Sequence, residues 1–169
     1  MKRADFRGDL KTGLAGEQRV VDLFRGHGLD AGFREAGDRS DSDVFVRATR
    51  KTLSVEVKFD LYEARSGNVA VEWFNPKSGK PSGLKATKAD LWCFVLGDRS
   101  VWFARTQDLD RAFDKGEEGP GFQRRLHQCG DGNAAAVLYR RGELFDHCFF
   151  RLDDAGREDV LATVEMFSL

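Results

Sequence analysis

Apolar residues recur along the first part of the chain with two different periods. From Leu14 to about Arg25 they follow helical spacing, and the glycines that come next predict the end of a first helix. Residues 29–36 predict a short strand, and the runs 44–49 and 52–60 have the composition typical of two strands joined as a hairpin. We therefore expect the chain to begin with a helix followed by three strands.

Further apolar runs follow in the middle and at the end of the chain. Residues 69–74 alternate as a strand does, and 91–96 form a continuous apolar run typical of a buried strand, followed after a tight turn by a strand at 101–106. Residues 107–128 predict helix in two pieces. The runs AAAVLYR, ELFDHCFFRL and VLATVEMF beyond them predict two strands and a last strand or helix, forming an appendage on the sheet or a contact with a second subunit.

The strand predicted at 52–60 carries two kinds of side chain on its two faces. Its period of two places apolar residues on one face and polar residues on the other, namely Leu53, Val55 and Val57 against Ser54, Glu56 and Lys58. Glu56 and Lys58 therefore lie side by side, where the carboxylate can hold a divalent metal while the ammonium meets an anionic substrate. The alternative interpretation is a chance salt-bridge pair on an exposed strand.

Glu17 lies on the apolar stripe of the first predicted helix. It is three residues from Leu14 and Val20 and seven from Phe24, so its side chain is expected to point toward whatever the helix packs on. One interpretation is a glutamate at the edge of the stripe that reaches water near the helix start, and the other is a metal ligand. Taken alone, the position favours the first interpretation.

Three aspartates precede the strand predicted at 44–49. Asp43 lies at the entrance of that strand, whereas Asp38 and Asp41 lie in the turn sequence GDRSDSD. Turn aspartates commonly accept hydrogen bonds from their own backbone, and we assign Asp38 and Asp41 to that role. Asp43 stays a candidate ligand because of its place at the head of the strand.

A basic loop at residues 75–90 connects the strand at 69–74 to the buried strand. Ser82 or Thr87 is expected to cap a short helix there, and the spacing of Thr87 to Asp90 fits a variant capping box. Backbone amides at a helix start together with lysines predict a phosphate-binding rim, and a solvated loop is an equally good interpretation. The lysines proposed to contact DNA are Lys77, Lys80, Lys85 and Lys88.

Composition limits the classes of protein that the chain can represent. Its 169 residues suit one domain, and its net charge of -1 means that any surface for nucleic acid must be local. The N-terminal residues do not resemble a signal peptide, and we expect a cytoplasmic protein without a membrane segment. The scattered cysteines, Cys93, Cys129 and Cys148, argue against a disulfide framework and against a zinc site with paired ligands.

The order of these elements resembles the catalytic core of the PD-(D/E)xK nuclease superfamily, shared by many restriction enzymes, archaeal-type Holliday junction resolvases and some homing endonucleases. The motif is SDSDV followed by VEVK, with Ser42 where the family has proline. The resemblance covers residues 13–105 and implies an α/β, restriction-endonuclease-like αβββαβ core with a mixed central sheet flanked by helices. Residues 1–12 are then a flexible arm, and residues 106–169 are a C-terminal extension of the same domain.

The resemblance also implies roles for individual residues. Asp43 and Glu56 would be the metal-binding carboxylates, Lys58 the catalytic lysine, and Glu17 the extra acidic residue that many members carry on the first helix. The Val57 carbonyl would be a third ligand of Mg²⁺, for which Mn²⁺ would substitute. Lys58 would orient or help to deprotonate the attacking water and steady the phosphate. Glu72 lies outside the minimal motif and is assigned a secondary place in the same cleft.

These roles imply a Mg²⁺-dependent DNA endonuclease of the homing or restriction-like kind, working as a homo-oligomer because cutting both strands commonly needs two active sites. A Holliday junction or structure-selective resolvase is the enzyme alternative. A non-catalytic protein that binds DNA or a protein partner on the same scaffold is the alternative from another class. His27, His127 and His147 lack the neighbours of a catalytic or zinc site, and Trp73, Trp92 and Trp102 are expected in the core.

Overall fold

Helices and strands alternate through the chain and form two sheets. The computed structural model of the chain describes residues 6–34, 42–115, 124–128 and 134–169. The helices are α1 (Phe6–Gly26), α2 (Glu63–Ser66), α3 (Thr106–Lys115), α4 (Arg141–Cys148) and α5 (Arg157–Phe167), and a 3-10 turn lies at Gly83–Lys85. The strands are β1 (Asp30–Phe33), β2 (Val44–Arg47), β3 (Thr52–Asp60), β4 (Asn68–Asn75), β5 (Lys80–Pro81), β6 (Leu91–Leu96), β7 (Val101–Arg105), β8 (Arg124–Gln128), β9 (Ala135–Arg140) and β10 (Phe150–Arg151).

The first sheet has six strands in the order β1-β2-β3-β6-β7-β10. β3 and β6 run parallel, with Val57 opposite Cys93, whereas the neighbouring pairs in this sheet are antiparallel. The predicted fold class, α/β with a mixed central sheet flanked by helices, is therefore confirmed. All six residues of β6 are buried, as its continuous apolar run predicts for a central strand.

Each face of the first sheet has its own core. One face packs against α1 and α5, where Val20, Phe24 and Val160 are fully buried with Val55 of β3. The opposite face carries Trp92 and Phe94 of β6 and packs against β4, β9, α3 and α4. Because neighbouring residues of a strand point to opposite faces, β3 sends Glu56 and Lys58 toward the second of these cores.

The second sheet has four antiparallel strands in the order β5-β4-β9-β8. β4 and β5 come from the segment between β3 and β6, and β8 and β9 come from the C-terminal part of the chain. A register shift between Glu72 and Phe74 interrupts the pairing of β4 with β9. Residues beyond 106 therefore contribute strands to both sheets as well as α5 to the first core.

Several predicted elements are corrected by the structure. α1 begins at Phe6, so residues 6–12 of the expected flexible arm are helical. Residues 124–128 form the strand β8, not the predicted helix, because they pair with β9. The run 143–152 is predicted as a strand, but its first part belongs to the helix α4, which buries the adjacent residues Leu144 and Phe145 together, and its strand β10 covers Phe150–Arg151. Between β3 and β6 the connection contains the four-residue α2 and the 3-10 turn, and among the described residues no α-helix lies between the basic loop and β6, where the αβββαβ order implies one.

Among the residues that the structure describes, none of the helices combines the length and apolar character needed to cross a bilayer.

Candidate active site

The site is built where β2 separates from β3. The two strands pair as far as Val44 opposite Val55, and the Asp43 N–H still donates to the Val55 carbonyl over 3.0 Å. Beyond that point the Asp43 carboxylate replaces the β2 backbone, because its Oδ2 accepts a hydrogen bond from the Val57 N–H over 2.8 Å. The N–H and C=O of one strand residue point to the same edge, so the Val57 carbonyl also points toward Asp43.

Glu56 and Lys58 lie together on the face of β3 that points toward the second core. Their Oε1 and Nζ atoms are 2.6 Å apart, and their side chains are 14% and 34% exposed. The Lys58 Nζ also lies 5.4 Å from the centre of the Trp92 ring, which belongs to the neighbouring strand β6. The ammonium is thus held between a carboxylate and an indole face, both of which favour its charge.

Nearby carboxylates keep the Lys58 ammonium charged. Burial by itself lowers the pKa of Lys58, but the charges of Glu56, Glu72 and Asp43 and the hydrogen bond to Glu56 outweigh burial and raise that pKa above its usual value. Lys58 therefore carries a proton at neutral pH, and it can donate to an anionic oxygen.

The carboxylates of Glu17, Asp43 and Glu56, from three different elements, repel one another electrostatically at this edge of the sheet. Burial raises the pKa of Glu17 on α1, and the charges of Asp43 and Glu56 raise it further. Burial also raises the pKa of Glu56, with a contribution from Asp43 and with Lys58 acting in the opposite direction. The structure therefore brings the predicted residues Glu17, Asp43, Glu56 and Lys58 to one place, where negative charge is incompletely balanced.

Gly16 allows α1 to approach β3 next to Glu17. A Cβ atom at Gly16 would lie 3.2 Å from Cδ2 of Phe59, which is tighter than usual van der Waals contact. Leu14, predicted on the apolar stripe, is 52% exposed, so the stripe of α1 begins beyond it. The close approach at Gly16 is what positions Glu17 near the end of β3 that carries the charged residues.

The donor atoms at this edge suit a hard divalent cation. Carboxylate oxygens and a backbone carbonyl are the ligands that Mg²⁺ prefers, and two of the carboxylates have a raised pKa that a cation would oppose. In the described part of the chain, no three His, Cys, Asp or Glu side chains are already close enough together to hold a metal ion. Glu56 instead contacts Lys58, so metal binding would require Glu56 to exchange that contact for the cation.

β4 and the segment after the 3-10 turn supply two further polar groups. Glu72 of β4 acts on the charge of Lys58, and Ala70 of the same strand donates its N–H to Asp60 Oδ2 over 3.3 Å. The Thr87 side chain hydrogen bonds with Glu56, a contact that the sequence does not signal because 31 positions separate the two residues. Glu72 thus acts on Lys58 from β4, and Thr87 joins the residues that contact Glu56.

The predicted helix start at Thr87 is wrong. Thr87 Oγ1 accepts the Ala89 N–H over 3.1 Å, and the strand β6 begins at Leu91 without an intervening helix. Asp90 bonds instead to Ser54 and Lys51, and Ser82 precedes the 3-10 turn without capping it through its side chain. The tertiary pairing of Asp90 with β3 replaces the local capping box that the spacing predicts.

Three of the four predicted lysines are exposed. Lys77 and Lys80 lie in the β4–β5 hairpin, whose turn is held by hydrogen bonds from the N–H groups of residues 77 and 78 to Asn75 Oδ1, and Lys88 follows the 3-10 turn. Lys85 differs, because its Nζ lies 2.6 Å from Asp110 and 2.7 Å from Asp114 on α3. These contacts offset the charge of Lys85 and count against its predicted role in phosphate binding.

Comparison with known proteins yields little similarity. No family model matches the chain, and no curated protein matches it. A search of solved structures finds a bacterial homing endonuclease, I-Ssp6803I, with 15% sequence identity and a TM-score of 0.46, covering 57% of this chain and 68% of that chain. Similarity at this level carries no argument about function.

The other described residues that the sequence singles out have structural contacts, and Trp92 in addition contacts Lys58 in the site. The His27 ring Nε2 contacts the Leu152 carbonyl at 3.1 Å, and Trp73, Trp92 and Trp102 belong to the second core, as predicted. Cys93 is fully buried, and burial raises the pKa of its thiol. Asp38, Asp41, Cys129 and the side chains of His127 and His147 lie outside the described residues.

Proposed function

We propose that this chain is a Mg²⁺-dependent DNA endonuclease that hydrolyses phosphodiester bonds at the edge of β3. The observation that carries the proposal is the meeting of Glu17, Asp43 and Glu56 with a charged lysine, Lys58, at the point where β2 leaves β3. Acidic oxygens beside an ammonium suit a substrate that is itself anionic and that reacts through a more anionic transition state.

Asp43 and Glu56 would hold the cation, with the Val57 carbonyl and Glu17 as further oxygen donors. When bound, the cation would supply charge neutralisation at the phosphate and a lower pKa for the attacking water. Mn²⁺ prefers similar oxygen donors and would substitute for Mg²⁺. The hydrogen bond from Val57 keeps the Asp43 carboxylate in place before the cation arrives, which lowers the cost of ordering it.

Lys58 would act on the phosphate and the attacking water as a positive group. Its protonated state suits donation to a non-bridging phosphate oxygen or to the water, and the Trp92 ring beneath it limits where the ammonium can move. The charge of Glu72 also favours the Lys58 ammonium, so Glu72 would help to hold that ammonium when Glu56 binds the cation.

Exposed lysines next to the cleft would bind the DNA backbone. Lys77, Lys80 and Lys88 supply positive charge locally, which a chain of net charge -1 does not supply globally. A homo-oligomer would place two such sites on one duplex, because cutting both strands commonly needs two active sites.

The decisive experiment incubates the purified protein with supercoiled plasmid and with a synthetic four-way junction, each with Mg²⁺, Mn²⁺ or EDTA. We expect cleavage with either metal and none with EDTA. Glu56→Gln should lower the rate at least 100-fold, since it removes a charged ligand and keeps the size of the side chain. The exposed Glu158→Gln variant serves as the matched control and should cut at the wild-type rate.

The choice of DNA separates the alternatives. Plasmid linearisation at discrete positions favours the homing or restriction-like activity, whereas selective cutting of the junction favours a resolvase. DNA binding without metal-dependent cleavage of any substrate would contradict the nuclease proposal and leave a non-catalytic DNA-binding protein.

A further inference from the structure

The chain leaves β3 through a turn that exposes two large apolar side chains. Leu61 is 52% exposed and Tyr62 is 77% exposed. Their backbone is nevertheless fixed, because Asp60 Oδ1 accepts the N–H of Tyr62 over 2.9 Å and the N–H of Glu63 over 3.1 Å. Asp60 Oδ2 accepts the Ala70 N–H over 3.3 Å and so ties the turn to β4.

Contacts beneath the turn hold it in place. Glu63 is 3% exposed and its Oε1 receives a hydrogen bond from Arg141 over 3.0 Å. On the other side, a Cβ atom at Gly97 would lie 3.3 Å from the Leu61 carbonyl, so the turn rests directly on the end of β6. An anchored backbone presents the Leu61 and Tyr62 side chains with little ordering cost on binding.

The turn and the lysine hairpin lie at opposite ends of the candidate active site. β4 passes the site with Ala70 beside Asp60 and with Glu72 beside Lys58, and it then continues into the hairpin that carries Lys77. Tyr62 follows Lys58 by four residues, which corresponds to about 13 Å at most along an extended chain. Since bases of one DNA strand are ~3.4 Å apart along the helix axis, this distance spans about four nucleotides.

A basic residue accompanies the exposed aromatic ring. Arg65 lies three residues after Tyr62 on α2 and is exposed, and no carboxylate of the described residues forms an ion pair with it. An exposed aromatic ring and an exposed guanidinium three residues apart suit DNA, in which a base and a phosphate lie next to each other. An apolar protein partner alone would leave the guanidinium unmatched.

We propose that Leu61, Tyr62 and Arg65, the Tyr62 turn, contact the DNA beside the cleavage site. The Tyr62 ring stacks on a base within about four nucleotides of the scissile phosphate, Leu61 packs beside it, and Arg65 binds a neighbouring phosphate. This inference rests on the proposed DNA endonuclease function and adds the element that holds the substrate on the side opposite the lysine hairpin.

Photocrosslinking tests the stacking contact. The full chain is irradiated in Ca²⁺, to prevent cleavage, with a random-sequence duplex that carries 5-iododeoxyuridine in place of thymidine, and the crosslinked peptides are mapped. We expect a crosslink at Tyr62 that is lost in Tyr62→Ala and kept in Tyr62→Phe. Crosslinks confined to other parts of the chain would overturn the inference.

Binding measurements on the same duplex test the energetics. Tyr62→Ala should weaken binding about 5-fold to 100-fold, whereas Tyr62→Phe, which keeps the ring, should bind within about twofold of the wild type. Arg65→Ala should reduce the slope of log K against log salt by about one, and Arg50→Ala, an exposed arginine at the opposite end of β3, should leave it unchanged. Wild-type binding by Tyr62→Ala would overturn the inference.

Failure of this inference is distinguishable from failure of the proposed function. If the wild type cuts DNA and Tyr62→Ala binds and cuts equally well, the turn has no DNA role and the nuclease assignment stands. If the wild type neither binds nor cuts any DNA, both fail. Sedimentation that shows a loss of oligomers in Tyr62→Ala, with DNA binding unchanged, would assign the turn to a subunit contact and overturn the inference.

Discussion

At the edge of β3, a side chain makes a hydrogen bond that the backbone of β2 would make if the two strands continued to pair. Asp43 is both the acceptor for the Val57 N–H and a candidate metal ligand. Lys58 is both the partner of Glu56 and the neighbour of the Trp92 ring. Because each of these groups has both a structural contact and a proposed chemical role, a substitution must be chosen so that it changes only one of the two.

Asp43→Asn separates the charge of this side chain from its hydrogen bond. The amide oxygen can still accept from Val57, so the melting temperature should change little, while the affinity for Mn²⁺ and the cleavage rate should fall at least 100-fold. Asp43→Ala should in addition lower the stability by about 1–3 kcal/mol, because the Val57 N–H loses its partner. Calorimetry of metal binding and thermal melts measure both effects, and equal metal affinity in Asp43→Asn would contradict the ligand role.

Lys58→Ala should reduce cleavage at least 100-fold and leave DNA binding within a few-fold of the wild type, since one charge is a small part of the binding surface. The matched control is Lys51→Ala, because Lys51 also pairs with a carboxylate, Asp90, at 2.9 Å but lies outside the site. Single-turnover cleavage and filter binding measure the two properties. Full activity in Lys58→Ala would remove Lys58 from the mechanism.

At the scale of elements, β4 and the two turns after it lie beside the candidate active site. The β4–β5 hairpin exposes Lys77 and Lys80, and the 3-10 turn packs on the Glu72 backbone through Gly83. α3 forms ion pairs with Lys85 from the same segment. In this segment, Lys77 and Lys80 are therefore exposed, whereas Lys85 anchors the segment to α3.

The double substitution Lys77→Ala and Lys80→Ala should weaken DNA binding and reduce the salt slope by about two, because two phosphate contacts are lost. Lys85→Ala is the control from the same segment. Its loss of contacts with Asp110 and Asp114 should lower the melting temperature and leave the salt slope unchanged. A salt slope that responds to Lys85 and not to the hairpin lysines would reverse the assignment.

Gly83→Ala should destabilise the protein by about 1–3 kcal/mol. Gly83 has a φ of +49°, and a Cβ there would overlap the Glu72 carbonyl. Gly79→Ala is the matched control, because Gly79 also has a positive φ, +66°, but open space around its Cβ position. Urea unfolding of both variants separates the overlap from backbone strain, and equal losses would show that the packing at Glu72 contributes nothing.

At the scale of the whole molecule, both cores depend on contacts between distant parts of the chain. α1 and α5, from opposite ends of the sequence, pack on the same face of the first sheet. β9 pairs with β4 and so brings the C-terminal part of the chain against the strand that carries Glu72. Stability and site geometry are therefore linked, and losses of activity in variants have to be compared with their melting temperatures.

Asp90 provides a pH-dependent link between two strands of the central sheet. Burial by itself raises the pKa of Asp90, but hydrogen bonds from Ser54 and the ion pair with Lys51 lower it below its usual value of 3.8. A lowered folded-state pKa means that Asp90 stabilises the fold above about pH 4, and that this contribution is lost as the pH falls through the folded-state pKa.

Asp90→Asn should accordingly be about 1–3 kcal/mol less stable than the wild type at pH 7, with a smaller difference at pH 3. Urea unfolding at the two pH values measures this. The exposed Asp146→Asn variant should show little change at either pH. If the stability difference between Asp90→Asn and the wild type were larger at pH 3 than at pH 7, the charged form of Asp90 would not be what stabilises the fold.

The local pattern of apolar and polar residues was sufficient to predict the elements in which buried residues recur at regular intervals. The periodicity of α1, the alternation in β3 and the unbroken apolar run of β6 predicted these elements, because the pattern of burial repeats with the geometry of the helix or strand. The same alternation placed Glu56 beside Lys58. The order of the elements then led to Asp43 and Glu17 as their companions.

Contacts between residues far apart in the sequence decided the features that local pattern did not predict. Pairing with β9 makes residues 124–128 a strand, and ion pairs with Asp110 and Asp114 count against a phosphate-binding role for Lys85. The register of β3 with β6 places the Trp92 ring beneath Lys58. Sequence alone determined which residues are the candidates for the chemistry, since their types and local spacing are written in it. Tertiary structure decided what surrounds them, because strand pairing and the crossover from β3 to β6 bring together residues that no local period connects.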